Sequence, residues 1–176
     1  MIEEITLGCG CFWCFEALLQ RVEGVEKVTS GYSGGTINQP SYQQVCTGTT
    51  GHAEVIQLCF DNKVISFQAL LRIFFSVHNP TTLNQQGADI GTQYRSVIFY
   101  HNDSQKADAK MVIAELDATQ QWDKAIITEV SPAVTFYPAE DYHQNYYNRN
   151  SQQAYCLAVI LPKLVNSRSG FNRDSL

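Results

Sequence analysis

Apolar residues change their spacing several times along the chain, and each change marks an element. Ile5 and Leu7 sit in a short apolar stretch over residues 2–8, which predicts a strand, and Gly8 and Gly10 supply the turn after it. From Phe12 the apolar positions fall at 12, 15, 18, 19 and 22, the spacing of one helix face, with Glu23-Gly24 as the stop. Residues 25–31 predict a second strand, followed by the turn-rich Tyr32-Ser33-Gly34-Gly35. A loop carrying Pro40, Tyr42 and Cys46 leads through Gly48 and Gly51 to a third strand over 54–60, closed by Asp61-Asn62. Ser66 then caps a helix whose apolar face holds Leu70, Leu71, Phe74 and Phe75, stopped at Asn79-Pro80. A polar loop, 81–93, precedes a strand over 94–100. Asp103 or Ser104 caps the next helix, which reaches about Gln121 with Ala107, Met111, Ala114 and Trp122 inward. A strand over 126–130, a short helix within 139–149 and an apolar segment over 157–161 complete the pattern. The polar tail from about residue 163 predicts a loop or fraying end.

Strands separated by crossing helices predict an α/β (α+β) two-layer sandwich, a mixed sheet with helices packed on it. No repeat, linker or low-complexity tract divides the chain, so residues 1–176 are expected to form a single catalytic domain. The net charge of −5 argues against nucleic acid or an anionic membrane as main partner. No apolar run approaches the roughly 20 residues that a spanning helix needs. The start Met1-Ile2-Glu3-Glu4 is acidic where an export signal is basic, so a cytoplasmic location is expected.

Cysteine usage changes the picture. Six cysteines (9, 11, 14, 46, 59 and 156) without an export signal point to redox or metal chemistry rather than a disulfide scaffold. Cys9, Cys11 and Cys14 form one tight cluster, but no second Cys pair or paired His stands at zinc-site spacing, so no metal or cofactor is expected. Cys11 falls at a predicted helix start, where backbone N–H groups and the helix dipole favour an anion. A lowered pKa and a reactive thiolate are therefore expected there, against the blander possibility of a buried structural cysteine.

Four segments carry more polar and aromatic detail than a core requires: Gly10-Cys11-Phe12-Trp13-Cys14-Phe15-Glu16, the stretch around Tyr42, Gly51-His52-Ala53-Glu54, and Asp89-Ile90-Gly91-Thr92-Gln93-Tyr94-Arg95-Ser96. In this order and spacing, and with Tyr137-Pro138-Ala139-Glu140-Asp141-Tyr142-His143-Gln144, the chain resembles the peptide methionine sulfoxide reductase A family from Gly8 to about Pro162. The resemblance implies reduction of methionine S-sulfoxide, free or in proteins, with Cys11 as nucleophile. Phe12 and Trp13 would form the pocket for the substrate methyl group, Glu54 would be the acid, and Tyr42, Tyr94 and Asp89 would surround the sulfoxide oxygen.

These residue types suit that chemistry. A sulfoxide sulfur is a poor electrophile until its oxygen is protonated or strongly hydrogen-bonded. Glu54 can donate only if an apolar, semi-buried setting raises its pKa. Tyrosines supply neutral donors, and aromatic walls exclude water around a thioether-sized group. Taken singly, each has a plainer reading: Glu54 as solvated surface, Phe12 and Trp13 as core, Asp89 as a turn residue, and Tyr42 and Tyr94 as two packing tyrosines among nine. His143 reads as a satisfied structural histidine, and Cys46 and Cys59 as structural.

The resemblance also implies a sulfenic acid on Cys11, a resolving thiol and recycling by thioredoxin. Here the sequence departs from the family's commonest pattern, because Cys14 stands where a glycine is usual. Cys156, in Ala154-Tyr155-Cys156, matches the tail cysteine and is slightly favoured as the resolving thiol. Cys14 lies one helical turn from Cys11, and a relay through both is open. A monomer is expected by family analogy. Two rivals remain: a thioredoxin-like disulfide oxidoreductase built on Cys11-Phe12-Trp13-Cys14, and a metal-binding module built on Cys9, Cys11 and Cys14.

Overall fold

Alternation along the strands decides which residues meet the helices. The computed structural model describes residues 1–162; the polar tail expected from residue 163 lies outside the described residues. In chain order the strands are β1 (Ile2–Cys9), β2 (Val25–Ser33), β3 (Ala53–Asp61), β4 (Gln85–Gln86), β5 (Asp89–Ile90), β6 (Ser96–Tyr100), β7 (Glu129–Pro132) and β8 (Phe136–Pro138). The helices are α1 (Phe12–Leu19), α2 (Tyr42–Cys46), α3 (Phe67–Ser76), α4 (Asp103–Ala118) and α5 (Tyr146–Asn150), and a π-helical turn spans Cys156–Ile160. Six strands form one sheet in the order β7-β6-β1-β3-β2-β8. The β6/β7 pair is parallel and the other neighbours are antiparallel, so the sheet is mixed.

Successive side chains on a strand point to opposite faces. On one face Ile5 and Leu7 of β1, Ile56, Leu58 and Phe60 of β3 and Ile98 of β6 join Phe12, Phe15 and Leu19 of α1 in the main core. Leu70, Leu71, Phe74 and Phe75 of α3 and Ala109 and Val112 of α4 belong to the same cluster. The opposite face carries a smaller cluster, Ala53, Val55, Val97 and Phe99, with Phe136 against it. This is the expected two-layer architecture. Glu54 alternates with Ala53 and Val55, so it points with Ile56 toward the helices, where burial is deepest.

Several local readings shift, each for a physical reason. Helix α1 stops at Leu19 rather than running on to residue 22. The segment read as a loop around Tyr42 contains α2, started by a capping box in which Ser41 and Gln44 bond each other's backbone N–H groups. Tyr94 is not on a strand: residues Thr92–Tyr94 make a 3-10 turn, and β6 begins only at Ser96. The α4 cap is Asn102, whose side chain accepts from Gln105 N, not Asp103 or Ser104. The inward face of α4 therefore runs through Gln105, Ala109 and Val112, with Ile113 and Leu116 beside them. Ala107, Met111 and Ala114 are exposed, while Trp122 does pack on the core. The last strand of the 126–130 reading begins at Glu129, and 139–149 holds a 3-10 turn at Asp141–His143 before α5.

Strand β8 carries the chain toward Ala139 and Glu140, and it can pair with β2 only because residue 31 has no side chain. A Cβ on Gly31 would stand 2.4 Å from the Phe136 ring and 2.5 Å from the Tyr137 carbonyl oxygen. The carbonyl is ladder backbone and cannot step aside. Gly31→Ala is expected to destabilise the protein by about 1–3 kcal/mol, the usual cost of overpacking, measured as a lower urea midpoint at unchanged slope.

Candidate active site

Gly10 turns the chain from β1 into α1 at φ +99°, a left-handed conformation that a glycine adopts at little cost. Cys11 follows as the N-cap of α1 in extended geometry, and its side chain makes no capping bond. The first N–H of the helix, on Phe12, instead donates to Glu54 Oε1 at 3.2 Å. Cys11 is half-buried, and Glu54 is only 2% exposed.

That arrangement fixes the electrostatics. Burial pushes the Glu54 carboxyl up to about 8, with the negative charges of Asp89 and Cys14 adding to it and the Phe12 N–H opposing. Burial also pushes the Cys11 thiol well above its ordinary value. The hydrogen bond with Cys14 and the charge of Glu54 act in the same direction, and the Tyr155 hydroxyl works against them. The thiol expected to be acidified by a helix start is thus raised in this structure. The reason is local: burial, the Cys14 hydrogen bond and the neighbouring Glu54 outweigh the helix start. Tyr42 and Tyr94 are both raised by burial, then by a hydrogen bond with Cys46 for Tyr42 and by the charge of Glu54 for Tyr94. Both phenols therefore stay protonated and are available as neutral donors. Asp89, on β5, accepts from Tyr155 Oη at 3.3 Å.

Phe12 is buried, and Trp13 is half-buried beside it, their ring centres 6.5 Å apart. Trp13 stacks on Tyr146 at 3.8 Å with 7° between planes, and Tyr155 meets it edge-on at 5.8 Å. Its indole Nε1–H donates to His143 Nδ1 at 2.9 Å. Glu140 accepts from Tyr32 Oη and from the backbone N–H of Tyr42, both at 3.2 Å, tying α2 to the sheet. Buried Glu16 of α1 accepts from Ser30 Oγ and from Tyr146 N, which docks α5 on α1. Glu16, Glu140, Tyr146 and Tyr155 are functional-site neighbours that the sequence reading did not assign. The density of Tyr, Glu and His over residues 137–147 was the available signal for Glu140 and Tyr146.

Of the six cysteines, none is disulfide-bonded. Cys14 packs with Cys156, Ala17, Leu18 and Ile160 in a second apolar cluster that borders Cys11 and Trp13. Cys14 thus stands between Cys11, its hydrogen-bonding neighbour, and fully buried Cys156. Cys9 faces the main core instead, so the three N-terminal cysteines do not converge. Among the described residues no group of three or more His, Cys, Asp or Glu side chains is arranged to hold a metal. Cys46, read from sequence as a structural loop residue, is exposed on α2 and hydrogen-bonds Tyr42.

A strand, Cys-x-x-Cys and helix in succession is also what the thioredoxin-like rival requires, so the local motif alone does not separate the two. The comparisons with known proteins do. A sequence model described as "Peptide methionine sulfoxide reductase" matches residues 3–174. The peptide methionine sulfoxide reductase MsrA of Polynucleobacter asymbioticus is 54% identical over 170 residues, 97% of this chain and 90% of its own. Mxr1 from Saccharomyces cerevisiae in reduced form superposes with a TM-score of 0.82 at 37% identity, over 88% of this chain and 89% of that one. Mxr1 in complex with Trx2 gives a TM-score of 0.59 at 27% identity, over 82% and 84%. With a family match over nearly its whole length and relatives at this identity, the chain is an oxidoreductase of the peptide methionine sulfoxide reductase family.

Proposed function

We propose that Cys11 reduces methionine S-sulfoxide, free or in proteins, by direct attack on the sulfoxide sulfur, with Glu54 as the proton donor. The observation that carries this reading is the bond from Phe12 N–H to Glu54, which holds a nearly buried carboxyl, neutral up to about pH 8, beside the thiol. Phe12 and Trp13 receive the methyl group, and Tyr42, Tyr94 and Asp89 surround the oxygen. As Cys11 sulfur bonds to the sulfoxide sulfur, Glu54 gives its proton to the oxygen and the thiol proton restores the carboxyl. The S–O bond and the new S–S bond then break as the oxygen passes to the Cys11 sulfur, which leaves the sulfenic acid on Cys11 and releases methionine as the thioether.

The packing supports a relay for recycling. Cys14, in contact with Cys11, condenses with the sulfenic acid to give the Cys11–Cys14 disulfide and water. Cys156 thiolate then attacks Cys14, which frees Cys11 and leaves a Cys14–Cys156 bridge. A thioredoxin-type dithiol reduces that bridge, in keeping with a relative that was crystallised with Trx2. A cycle reset by such a donor suits a reducing cytoplasm and the repair of oxidised methionine.

Cys11→Ser is expected to abolish turnover with dithiothreitol, because a hydroxyl offers no accessible anion of comparable nucleophilicity. A folded variant that still turns over methionine sulfoxide overturns the assignment.

Glu54→Gln is expected to slow reduction by roughly 100-fold or more, the range lost with a general acid, while iodoacetamide still alkylates Cys11. The wild-type rate falls as pH rises through about 8 and Glu54 loses its proton, and the variant lacks this limb. The same raised pKa has a stability consequence. Charging Glu54 disfavours the folded state, so the cost sets in above the ordinary carboxylate range and is complete above about 8. In urea the variant is expected to match wild type near pH 4 and to exceed it near pH 9.

Single turnover needs Cys11 alone, so Cys14→Ser and Cys156→Ser are each expected to release about one methionine per enzyme without reductant. With thioredoxin both stall, Cys14→Ser as the sulfenic acid and Cys156→Ser as a Cys11–Cys14 bridge. Peptide mapping after one equivalent of substrate reads the difference. Normal turnover of Cys14→Ser would show that Cys156 resolves directly.

A further inference from the structure

Helix α5 begins on a residue that does not cap it. Asn145, its N-cap, sits in the left-handed region at φ 56°, and its side chain makes no capping bond. That backbone turns the N–H groups of Asn145 and Tyr146 toward one buried acceptor, Glu16 of α1. Glu16 is 1% exposed; its Oε1 accepts from Tyr146 N at 3.2 Å and its Oε2 from Ser30 Oγ at 3.1 Å. Burial raises its carboxyl, while the Asn145 N–H, the Ser30 hydroxyl, the Tyr146 N–H and the Arg149 charge act against it. The cap that α5 lacks in its own sequence is thus supplied by another helix.

The other polar contacts between the two helices are weaker. Asn148 bonds Gln20 and Arg21 at the exposed surface, where water competes for the same groups. Beyond α5 the chain runs to Tyr155 and Cys156. Cys156 is fully buried and packs with Cys14, Ala17 and Leu18. Apolar packing of this kind attracts without fixing a register. The register of Cys156 against Cys14 is therefore set upstream, where α5 is pinned to the helix that carries Cys14. The pin and the target thiol stand two residues apart on α1.

We propose that Glu16 is a positioning residue for recycling: by capping α5 from α1 it holds the Cys156 thiol in register with Cys14 and so sets the rate of disulfide exchange between them. This rests on the relay given under the proposed function. In that step the Cys156 thiolate bonds to the Cys14 sulfur and the Cys11–Cys14 bond breaks. The electron pair leaves on the Cys11 thiolate, so no external oxidant or reductant takes part. Glu16 forms and breaks no bond in the exchange. Its effect falls on recycling rather than on sulfoxide reduction.

Both ends of the tie can be altered. Glu16→Gln keeps an oxygen for the Tyr146 N–H and offers its amide N–H to Ser30 Oγ, whereas Glu16→Leu keeps the volume and loses both acceptors. From the other side, Asn145→Val at an exposed position disfavours the left-handed backbone, which Asn145→Gly retains. In the reduced enzyme, labelling by N-ethylmaleimide with peptide mapping reads release of the segment. Cys156 is expected to label about tenfold faster in Glu16→Leu and Asn145→Val than in wild type, the scale of one buried charge-assisted bond. Cys9, in the main core, keeps its rate, which separates local release from general loosening. After one equivalent of methionine sulfoxide, timed acid quenching and mapping are expected to show the Cys156 bridge forming about tenfold more slowly in the same two variants. The first methionine is released at most about threefold more slowly at saturating substrate, so the two steps split. Glu16→Gln and Asn145→Gly stay within about threefold of wild type in every reading, as retention of the cap requires. If Glu16→Leu does not fold, the Asn145 pair gives the same comparison. Unchanged Cys156 labelling, equal acceleration at Cys9, or faster labelling with the bridge forming at the wild-type rate overturns the proposal. A wild-type enzyme that maps a direct Cys11–Cys156 bridge removes the relay alone, and the role of Glu16 is then read in the rate of that bridge. A wild-type enzyme with no bridge to Cys156 removes both.

Discussion

The hydrogen bond from the first N–H of α1 to Glu54 is the constraint on which the site depends. It joins the sheet to the helix that carries Cys11, and it holds a carboxyl that burial would otherwise make hard to place. It also sets Glu54 beside Cys11, where its charge adds to burial and the Cys14 hydrogen bond in raising the thiol. A neutral acid and a protonated thiol thus lie side by side in the resting site. On the proposed mechanism, reactivity depends on a substrate whose oxygen can take the proton. The cost falls on stability at alkaline pH, where an ionised Glu54 is left in a site built for the neutral form.

The rest of the wall comes from the far end of the chain. Glu16, one turn beyond Trp13 on α1, accepts from the backbone of Tyr146, and this places the Tyr146 ring flat on the indole. Tyr155 follows, its hydroxyl near Cys14 and bonded to Asp89, so the C-terminal segment closes over the thiols and the acid at once. On the proposed mechanism, substrate recognition and recycling share one element. The segment that carries Tyr146 and Tyr155 also carries Cys156, so the proposed disulfide exchange would loosen the aromatic wall.

The sheet and main helices were legible in the sequence because they bury continuous apolar faces: the strand periods of β1 and β3 and the helix period of α3 survive in the structure with small shifts at the ends. The two-layer fold follows from them. Less legible were elements held by polar bonds. Helix α2 depends on the Ser41–Gln44 box, and the turn at Thr92–Tyr94 depends on Gly91 and on Arg95 bonding Thr92 and Gly51 carbonyls. The inward face of α4 was misplaced because a buried Gln105, bonded to the backbone of Glu4 and His101, takes a position that patterning reserves for apolar residues. In the site, residue types could be picked out but not their protonation. The helix-start argument for an acidic Cys11 is sound for an isolated helix, and no linear pattern reveals how deeply the thiol is buried or that Cys14 and Glu54 stand beside it.

Cysteine spacing shows the same limit and also its remedy. A Cys-x-x-Cys pair reads as a redox couple whichever family holds it, and the tail cysteine was favoured as resolving thiol only through the family resemblance. Packing distinguishes their tasks. Cys14 is fixed on the same short helix as Cys11, so closing that bridge orders no further chain and meets little entropic resistance. Cys156 sits in a short helical turn of five residues, Cys156–Ile160, held by apolar contacts with Cys14, Ala17 and Leu18. Contacts of that kind are individually weak and can be surrendered locally while the core stays intact. A near, rigid thiol suits the capture of a short-lived sulfenic acid. A thiol on a segment that can be released suits delivery of the disulfide to a protein donor, and the order Cys11, Cys14, Cys156 through the fold matches that division of labour.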